Sequence, residues 1–235
     1  MRHAFVAVAT ALAGLAAHAA DLSDTEMRWL KAGWPVIDFA RERQLPLDIV
    51  VQPQARPGDA PLAMGFVGGR CKLVLSMRGN PDAEDTLEHI APALLQPVVE
   101  AMVAHELGHC WRYVHGAWHT LPAGFVDVSE ERTPADPQGA DPKAVGLRRD
   151  MRETRREEGY ADLVGLAWTL GHHPRQYTQV HDWFTAMRAD QPVAGAYHDT
   201  RAWLRLAREG SVFAAGSDPF ERVRDLWQKG LLAEE

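Results

Sequence analysis

The spacing of apolar residues along the chain predicts one helix, then a small sheet, then several more helices. Apolar positions recur three and four residues apart, as in helices with one buried face, in three segments: 21–43, 94–114 and 144–170. Short β-branched runs predict three strands: 47–51, 64–67 and 71–76. Two or three shorter helices are expected to follow, near 174–189, 200–208 and 219–231. This order predicts an α+β fold, with a small antiparallel or mixed sheet and a helical C-terminal part.

Local signals define several boundaries more closely. Ser23 followed by Glu26 is the pattern of a capping box, which marks the start of the first helix. Pro35 within that helix can kink or split it. A Gly-Gly pair between the second and third strands indicates a hairpin. Segment 118–142 is rich in Pro, Gly, Asp and Glu without helical spacing, so we predict a long loop within one domain that covers 20–235.

The helix at 94–114 carries the sequence His-Glu-Leu-Gly-His. His105 and His109 are four residues apart, so their side chains project from one helix face and can bind the same metal ion. Glu106 lies one position further round, where it can accept a proton from water at the metal. The rest of this helix is apolar, and burying three polar side chains there would be costly without partners. The pattern therefore predicts a metal site, for which Zn2+ is the expected ion.

A catalytic zinc ion takes three protein ligands and keeps one position open, so a third ligand is required. His115 has the spacing of the third histidine in metzincin peptidases. That pattern needs a glycine midway, where this chain has Arg112. If the helix continues through Val114, His115 is rotated by about 240° from His109, away from the metal. We therefore expect His115 to be a surface histidine near the end of the helix.

Glu158 is the second candidate for the third ligand. It precedes Asp162 by four residues in the helix at 144–170, so the two carboxylates share one face. Glu158 can bind zinc while Asp162 accepts a hydrogen bond from the second nitrogen of a zinc-bound histidine. Asp162 is surrounded by apolar residues and therefore needs such a partner. Ion pairs with the neighbouring arginines are the structural alternative, and Glu157 is an alternative ligand without an aspartate at the right offset.

His-Glu-x-x-His followed downstream by Glu-x-x-x-Asp resembles the gluzincin metallopeptidases. The Ala161-Asp162 ending and the 49 residues from His109 to Glu158 are similar to the branch of CAAX prenyl proteases and heat-shock membrane proteases. This resemblance implies a zincin-like fold. It also implies a role for each of five residues. The zinc ligands are His105, His109 and Glu158, the general base is Glu106, and Asp162 contacts a ligand histidine from the side away from the metal. The chain departs from that branch because it has no transmembrane helices.

The same resemblance implies two features of substrate binding. In this branch a histidine downstream of the glutamate helix donates to the oxyanion that forms on the substrate carbonyl, and an arginine follows it. His198 and Arg201 would be that pair, although Asp199 stands where the branch has a proline. The rivals for this role are His172, His173, His181 and Tyr160. Members of the branch also pair an extended substrate with a strand beside the active-site helix, here the strand at 71–76.

The first 19 residues have the features of a secretory signal peptide. Arg2 and His3 precede an apolar run at 4–17, and a small-x-small cleavage pattern ends at Ala19. An uncleaved anchor is the alternative, but the run is short for a membrane span. Cleavage would change the net charge from −7 to −8, because one arginine is removed. The remaining chain has no basic patch and no second long apolar stretch, so we expect neither nucleic-acid binding nor stable membrane insertion.

The sequence contains two cysteines, Cys71 and Cys110. In the oxidising surroundings of a periplasmic or secreted protein, a pair is expected to form a disulfide. If Cys71 lies on a strand packed along the helix of the His-Glu-x-x-His motif, the two side chains can meet. Two buried free thiols are the alternative.

Together these features predict an exported zinc-dependent endopeptidase that acts on peptide or protein substrates. One alternative is a non-catalytic exported protein, with a structural metal site or a cleft that only binds peptide. Glu106 argues against it, because a purely structural site has no use for a base there. The other alternative is a metzincin-like peptidase that uses His115 as its third ligand.

Overall fold

A computed structural model describes residues 21–54, 56, 58–125, 142–189 and 195–233. The predicted signal peptide and the part of the predicted loop at 126–141 lie outside these residues. The α+β prediction is confirmed: a small mixed sheet is followed by a helical C-terminal part. The helices and strands in chain order are α1 (Asp24–Glu42), β1 (Leu47–Pro53), β2 (Leu62–Val67), β3 (Arg70–Arg78), α2 (Pro81–Glu88), α3 (Leu95–Val114), α4 (Pro142–His172), α5 (Tyr177–Ala189), α6 (Arg201–Leu206), α7 (Pro219–Arg222) and α8 (Arg224–Ala233).

Helix α1 begins with the predicted capping box. The Ser23 hydroxyl accepts a hydrogen bond from the Glu26 backbone N–H, and the Ser23 N–H donates to the Glu26 carboxylate at 2.7 Å. Pro35 lies inside this helix, which continues without a break to Glu42. Gly33 allows α1 to approach α3 closely, because a Cβ at this position would lie 2.6 Å from a methyl group of Val103.

The three strands form one sheet in the order β1-β3-β2. β1 pairs with β3 in parallel, and β2 pairs with β3 as the antiparallel hairpin that the sequence predicted. Gly68 and Gly69 form the turn with φ values of 59° and 75°, which glycine adopts without strain. β3 is therefore the central strand, and β2 is an end strand that also packs against α3.

Helices α3 and α4 pack closely against each other. Gly108 makes this possible, since a Cβ there would lie 3.0 Å from Ala161 Cα and 3.3 Å from the Val164 side chain. Gly165 plays the same part from the other helix, because a Cβ there would lie 2.7 Å from the Ala101 carbonyl oxygen. The two glycines bring the backbones together along the face of α3 that carries the His-Glu-x-x-His motif.

A disulfide joins the sheet to α3. Cys71 on β3 and Cys110 on α3 are bonded, as predicted, and both are fully buried. Cys110 directly follows His109, so the crosslink fixes α3 beside a residue of the motif. Within the described part of the chain, none of the helices combines the length and the apolar character that a membrane crossing needs.

Candidate metal centre

Three side chains from α3 and α4 form a buried group that could hold a metal ion: His105, His109 and Glu158. The Nε2 atoms of the two histidines are 3.2 Å apart. Glu158 Oε1 lies 3.2 Å from His109 Nε2, and Glu158 Oε2 lies 3.5 Å from His105 Nε2. Two ligands of a tetrahedral zinc ion, each bonded at about 2.0–2.2 Å, are about 3.3–3.6 Å apart. Two imidazole nitrogens and one carboxylate at this spacing are a donor set that fits zinc.

The charges within this group act on each other. Burial alone would raise the pKa of Glu158, but the charges of His109, His105 and Arg188 and a hydrogen bond from His109 lower it to about 2. Burial alone would lower the pKa of His109, but the charge of Glu158 and a hydrogen bond to it raise that pKa above its usual value. Glu158 is therefore ionised at neutral pH, which is the form that binds a metal.

His105 is backed by Asp162, as the sequence predicted from the four-residue spacing of the two carboxylates on α4. His105 Nδ1 lies 2.8 Å from Asp162 Oδ1. The ring N–H is not aligned for an ideal hydrogen bond, yet at this distance the carboxylate favours a proton on Nδ1 and leaves Nε2 free to bind metal. Asp162 is completely buried.

Arg188 on α5 neutralises the two carboxylates of α4. Its Nη2 donates to Asp162 Oδ1 at 2.8 Å and to Glu158 Oε2 at 3.1 Å, and its Nε donates to Asp162 Oδ2 at 3.0 Å. Burial would raise the pKa of Asp162, but the charges of Arg188 and His105 and the hydrogen bonds from Arg188 hold it well below its usual value. The Thr200 hydroxyl also donates to Asp162. This arginine is the residue that the sequence analysis missed.

The signal that could have revealed Arg188 is its position in the α5 pattern. Val180, Phe184 and Arg188 are four residues apart and are all buried. A charged residue in line with two apolar core residues needs a buried partner of opposite charge. The sequence offered two such carboxylates on α4, but nothing in it shows which of several arginines reaches them.

His109 has different neighbours. Its Nδ1 is buried and has no hydrogen-bond partner among the described residues. The Trp118 ring packs edge-on against the His109 ring, with the centroids 5.6 Å apart. Phe66 of β2 in turn contacts Trp118 and stacks on Tyr113 of α3. On its Nδ1 side, His109 is therefore positioned by aromatic packing rather than by a carboxylate.

The three candidate ligands line a cavity of about 500 Å3, together with Glu106. Burial raises the pKa of Glu106, although the charges of His105 and His109 oppose that shift. Residues of β2, α3, α4 and α5 supply most of the lining of this cavity. Glu106 thus faces a space that a ligand can enter, beside the predicted metal ligands rather than among them.

His198 is brought to the same cavity. Its Nε2 lies 3.7 Å from Glu158 Oε2, although half of its side chain is exposed. Burial of the ring and the charge of Arg188 lower the pKa of His198, despite the opposing charge of Glu158. Its role as an oxyanion donor stays a prediction.

The structure places the rivals of His198 elsewhere. His172 stacks on Trp168, and His173 contacts the buried carboxylate of Glu100. His181 contacts the Leu204 carbonyl oxygen, and the Tyr160 hydroxyl donates to the Phe220 carbonyl oxygen. Arg201 does not line the cavity either, since its side chain is exposed and pairs with Asp199. The expectation that Arg201 accompanies His198 at the site is therefore wrong, and Arg188 occupies the position of the nearby cation.

The other two candidate ligands are held outside the cluster. α3 runs through Val114, and His115 stacks on Trp111 at the exposed end of the helix, as expected. Arg112, at the position where metzincins have glycine, is buried and pairs with Glu157. Glu157 also accepts a hydrogen bond from the His119 N–H, so its carboxylate is occupied.

The prediction that the strand at 71–76 pairs with substrate is wrong. Segment 71–76 lies in β3, whose two edges are both occupied by β1 and β2. The strand that lines the cavity is β2. The sequence placed both strands in one hairpin, but the parallel pairing of β1 with β3 is a long-range contact that the local pattern does not reveal.

Comparisons of the chain with protein-family models, with curated proteins and with solved structures find no match.

Proposed function

We propose that this protein is a zinc-dependent endopeptidase. The observation that carries the proposal is the buried group of His105, His109 and Glu158 at the wall of a cavity that Glu106 also lines. A structural zinc site is closed by four protein ligands, whereas a catalytic site has three and an open position. Three ligands beside a cavity and a carboxylate are the arrangement of the catalytic kind.

Bound zinc would polarise the scissile carbonyl and lower the pKa of a water molecule beside it. The Glu106 carboxylate accepts a proton from the attacking water and passes it to the nitrogen of the leaving amine. Burial raises the pKa of Glu106, which makes its carboxylate a stronger base for this transfer. Glu106 must be ionised to begin the cycle and protonated to complete it.

His198 is the proposed donor to the oxyanion. It lines the cavity, and its lowered pKa keeps the ring neutral at neutral pH, with one N–H to donate. Arg188 is committed to Asp162 and Glu158, so it positions those carboxylates and leaves the substrate carbonyl to His198.

An extended peptide would lie along β2. This strand ends the sheet within the described residues and lines the cavity, so its outer edge is available for backbone pairing. The Cys71–Cys110 disulfide is compatible with export, and periplasmic or secreted location is part of the proposal.

The test is a zinc assay combined with peptide cleavage in matched variants. The purified protein should carry about one zinc ion per chain, and Glu158→Ala should lose most of it, because two histidines alone bind weakly. Glu106→Gln should keep its zinc and lose turnover, because the base is removed and no ligand is touched. His115→Ala is the matched control and should retain both zinc and activity.

A zinc-free wild-type protein, or strong peptidase activity in Glu106→Gln, would overturn the proposal. Zinc retention in Glu158→Ala together with zinc loss in His115→Ala would instead favour the metzincin-like ligand set. His198→Ala should keep its zinc and lose about 10²–10³-fold in kcat, the usual cost of one oxyanion donor.

A further inference from the structure

The cavity has a polar part and a larger apolar part. The polar part is the ligand group with Glu106, Arg188 and His198. The apolar part is formed by methionines and aromatic residues from three elements: Met64 and Phe66 of β2, Met102 of α3, and Trp183, Phe184 and Met187 of α5. The volume of about 500 Å3 is within the range of about 300–1,000 Å3 for sites that enclose a ligand.

Helix α5 presents its apolar residues and Arg188 to the same cavity. Phe184 and Arg188 are buried and four residues apart, so each anchors one turn of the helix. Trp183 and Met187 follow the same spacing, and Met187 is partly exposed at 36%. Helix α5 therefore supplies both the arginine that pairs with the two carboxylates of α4 and one wall of the apolar part of the cavity.

The apolar part begins directly beside the general base. Met102 is one turn before Glu106 on α3, and both line the cavity. A peptide placed with its scissile bond at Glu106 would direct a neighbouring side chain towards Met102 and the wall of α5. Glu106 and the nearest apolar residue of the same helix, Met102, are thus about one helical turn apart, a rise of about 5.4 Å.

Two charged side chains of the cavity already have partners and are not available to a charged substrate side chain, whereas Glu106 and His198 belong to its polar part. Arg188 is satisfied by Asp162 and Glu158, and Glu157 is satisfied by Arg112. A buried charge without a partner is costly, whereas an apolar side chain gains from burial in proportion to its area. Methionine adapts its shape to different apolar groups, so this wall selects by size and apolarity rather than by one shape.

We propose that the cavity selects peptides with a large apolar side chain, such as Leu, Met or Phe, next to the scissile bond. The proposal rests on the proposed function, because it names the substrate class of the same site. Met187 and Trp183 are its specificity-determining residues.

The first test compares cleavage of peptides that are identical except at the position next to the scissile bond, where they carry Leu, Phe, Ala, Asp or Lys. One methylene in an apolar pocket is worth about 10–200-fold in kcat/KM, so we expect the Leu and Phe peptides to exceed the Ala peptide by at least 10-fold. The Asp and Lys peptides should be the poorest. Equal kcat/KM across the series would overturn the proposal and leave the peptidase activity standing.

The second test changes a residue in the apolar part of the cavity. In Met187→Lys, the kcat/KM for the Leu peptide divided by that for the Ala peptide should fall several-fold. Cleavage of the Asp peptide should improve, because the new lysine is a partner for its carboxylate. Met27→Lys is the matched control, since Met27 is an exposed helical methionine in α1 that does not line the cavity. An unchanged ratio in Met187→Lys would show that Met187 does not determine the specificity of the cavity.

The third test is independent of catalysis. Fluorescence anisotropy measures binding of the same labelled peptides to Glu106→Gln protein, which should bind the Leu and Phe peptides more tightly than the Ala and Asp peptides. Such a preference without any cleavage by the wild type would refute the peptidase and support the apolar selectivity of the cavity. Binding without preference would overturn the selectivity, whatever the wild type cleaves.

Discussion

The two motif histidines lie on the same face of one helix but are supported by different parts of the protein. Behind His105 lies an ionic network, in which Asp162 contacts the ring nitrogen and Arg188 and Thr200 contact Asp162. Beside His109 lies the Trp118 ring, and the next residue, Cys110, is crosslinked to β3. One histidine is held by charge from the helical part of the protein, and the other by packing and a covalent bond from the sheet side.

This difference separates two requirements of a metal site. The carboxylate behind His105 favours a proton on the ring nitrogen that faces it, and its removal should therefore reduce metal affinity directly. The aromatic ring and the disulfide restrict where His109 lies, but they do not favour a particular proton position. Changes on the His105 side should therefore affect metal binding more than changes of similar size on the His109 side.

The largest expected effect is from Asp162→Asn, which leaves Arg188 with reduced charge compensation in a buried position. Breaking a buried pair costs about 3–5 kcal/mol of unfolding free energy, and loss of the group behind a metal-binding histidine costs about 10–100-fold in metal affinity. Urea unfolding of the metal-free protein and competition with a zinc chelator measure the two effects.

The double variant Asp162→Asn/Arg188→Met sharpens this prediction. The second change removes the arginine that the first leaves undercompensated, so part of the stability should return, although Glu158 also loses its contact with Arg188. Zinc affinity should stay low, because the carboxylate is still missing. Full zinc affinity in either variant would show that the ionic network does not act on His105.

The second prediction concerns the covalent support. Cys71→Ser/Cys110→Ser should reduce the free energy of unfolding by about 2–4 kcal/mol, because the unfolded chain loses a crosslink. Under conditions where the variant is fully folded, its zinc affinity should change less than that of Asp162→Asn. A larger loss of zinc affinity than in Asp162→Asn would contradict the division between the two sides.

A smaller effect is expected from Trp118→Leu. An edge-on aromatic contact contributes about 0.5–1.5 kcal/mol beyond its buried area, so zinc affinity should fall by no more than about 10-fold. Trp34→Leu is the matched control, because Trp34 is a partly exposed tryptophan on α1 outside the cavity. Zinc titration of both variants gives the comparison, and equal affinities would show that Trp118 does not position His109.

The smallest effect is a pH dependence that does not involve either histidine. Glu26 is buried next to the surface residue Arg78, and although burial would raise its pKa, hydrogen bonds from Arg78 and Ser23 lower it. A carboxylate with a lowered folded pKa stabilises the protein above its unfolded pKa, about 4.3, and this contribution is lost as the pH falls through the folded pKa. Glu26→Gln should therefore show a flatter loss of stability below that pH than the wild type.

Zinc affinity at neutral pH should be the same in Glu26→Gln and in the wild type, since Glu26 lies outside the metal centre. Urea unfolding at a series of pH values checks the first expectation, and zinc competition checks the second. A pH profile identical to that of the wild type would show that the Glu26–Arg78 contact adds nothing to stability.

The parts of the site that lie on one helix could be predicted from the sequence. The pairs His105/His109 and Glu158/Asp162 each depend on a four-residue spacing, and helical geometry fixes where such side chains point. The disulfide followed from the number of cysteines and the expected compartment. Local signals also gave the capping box of α1 and the hairpin of β2 and β3.

The parts that depend on contacts between distant elements could not be predicted. Arg188 reaches Asp162 from another helix, Trp118 reaches His109 from the segment after α3, and β2 takes the edge position because β1 pairs with β3. Each of these contacts is decided by how whole elements pack, and one residue pattern is compatible with several such arrangements. Arg201 was the natural choice near His198 in the sequence, but the ion pair with Asp199 keeps it at the surface.

Gly108 has a consequence for protein engineering. The two middle positions of the motif are filled by Leu107, which is buried in the core, and by Gly108, against which the backbone of α4 lies. A graft of His105, Glu106 and His109 alone onto the helix of another scaffold would keep the wider helix spacing of that scaffold and hold its third carboxylate too far away. A transplanted site would need the glycine and a closely packed partner helix as part of the same design.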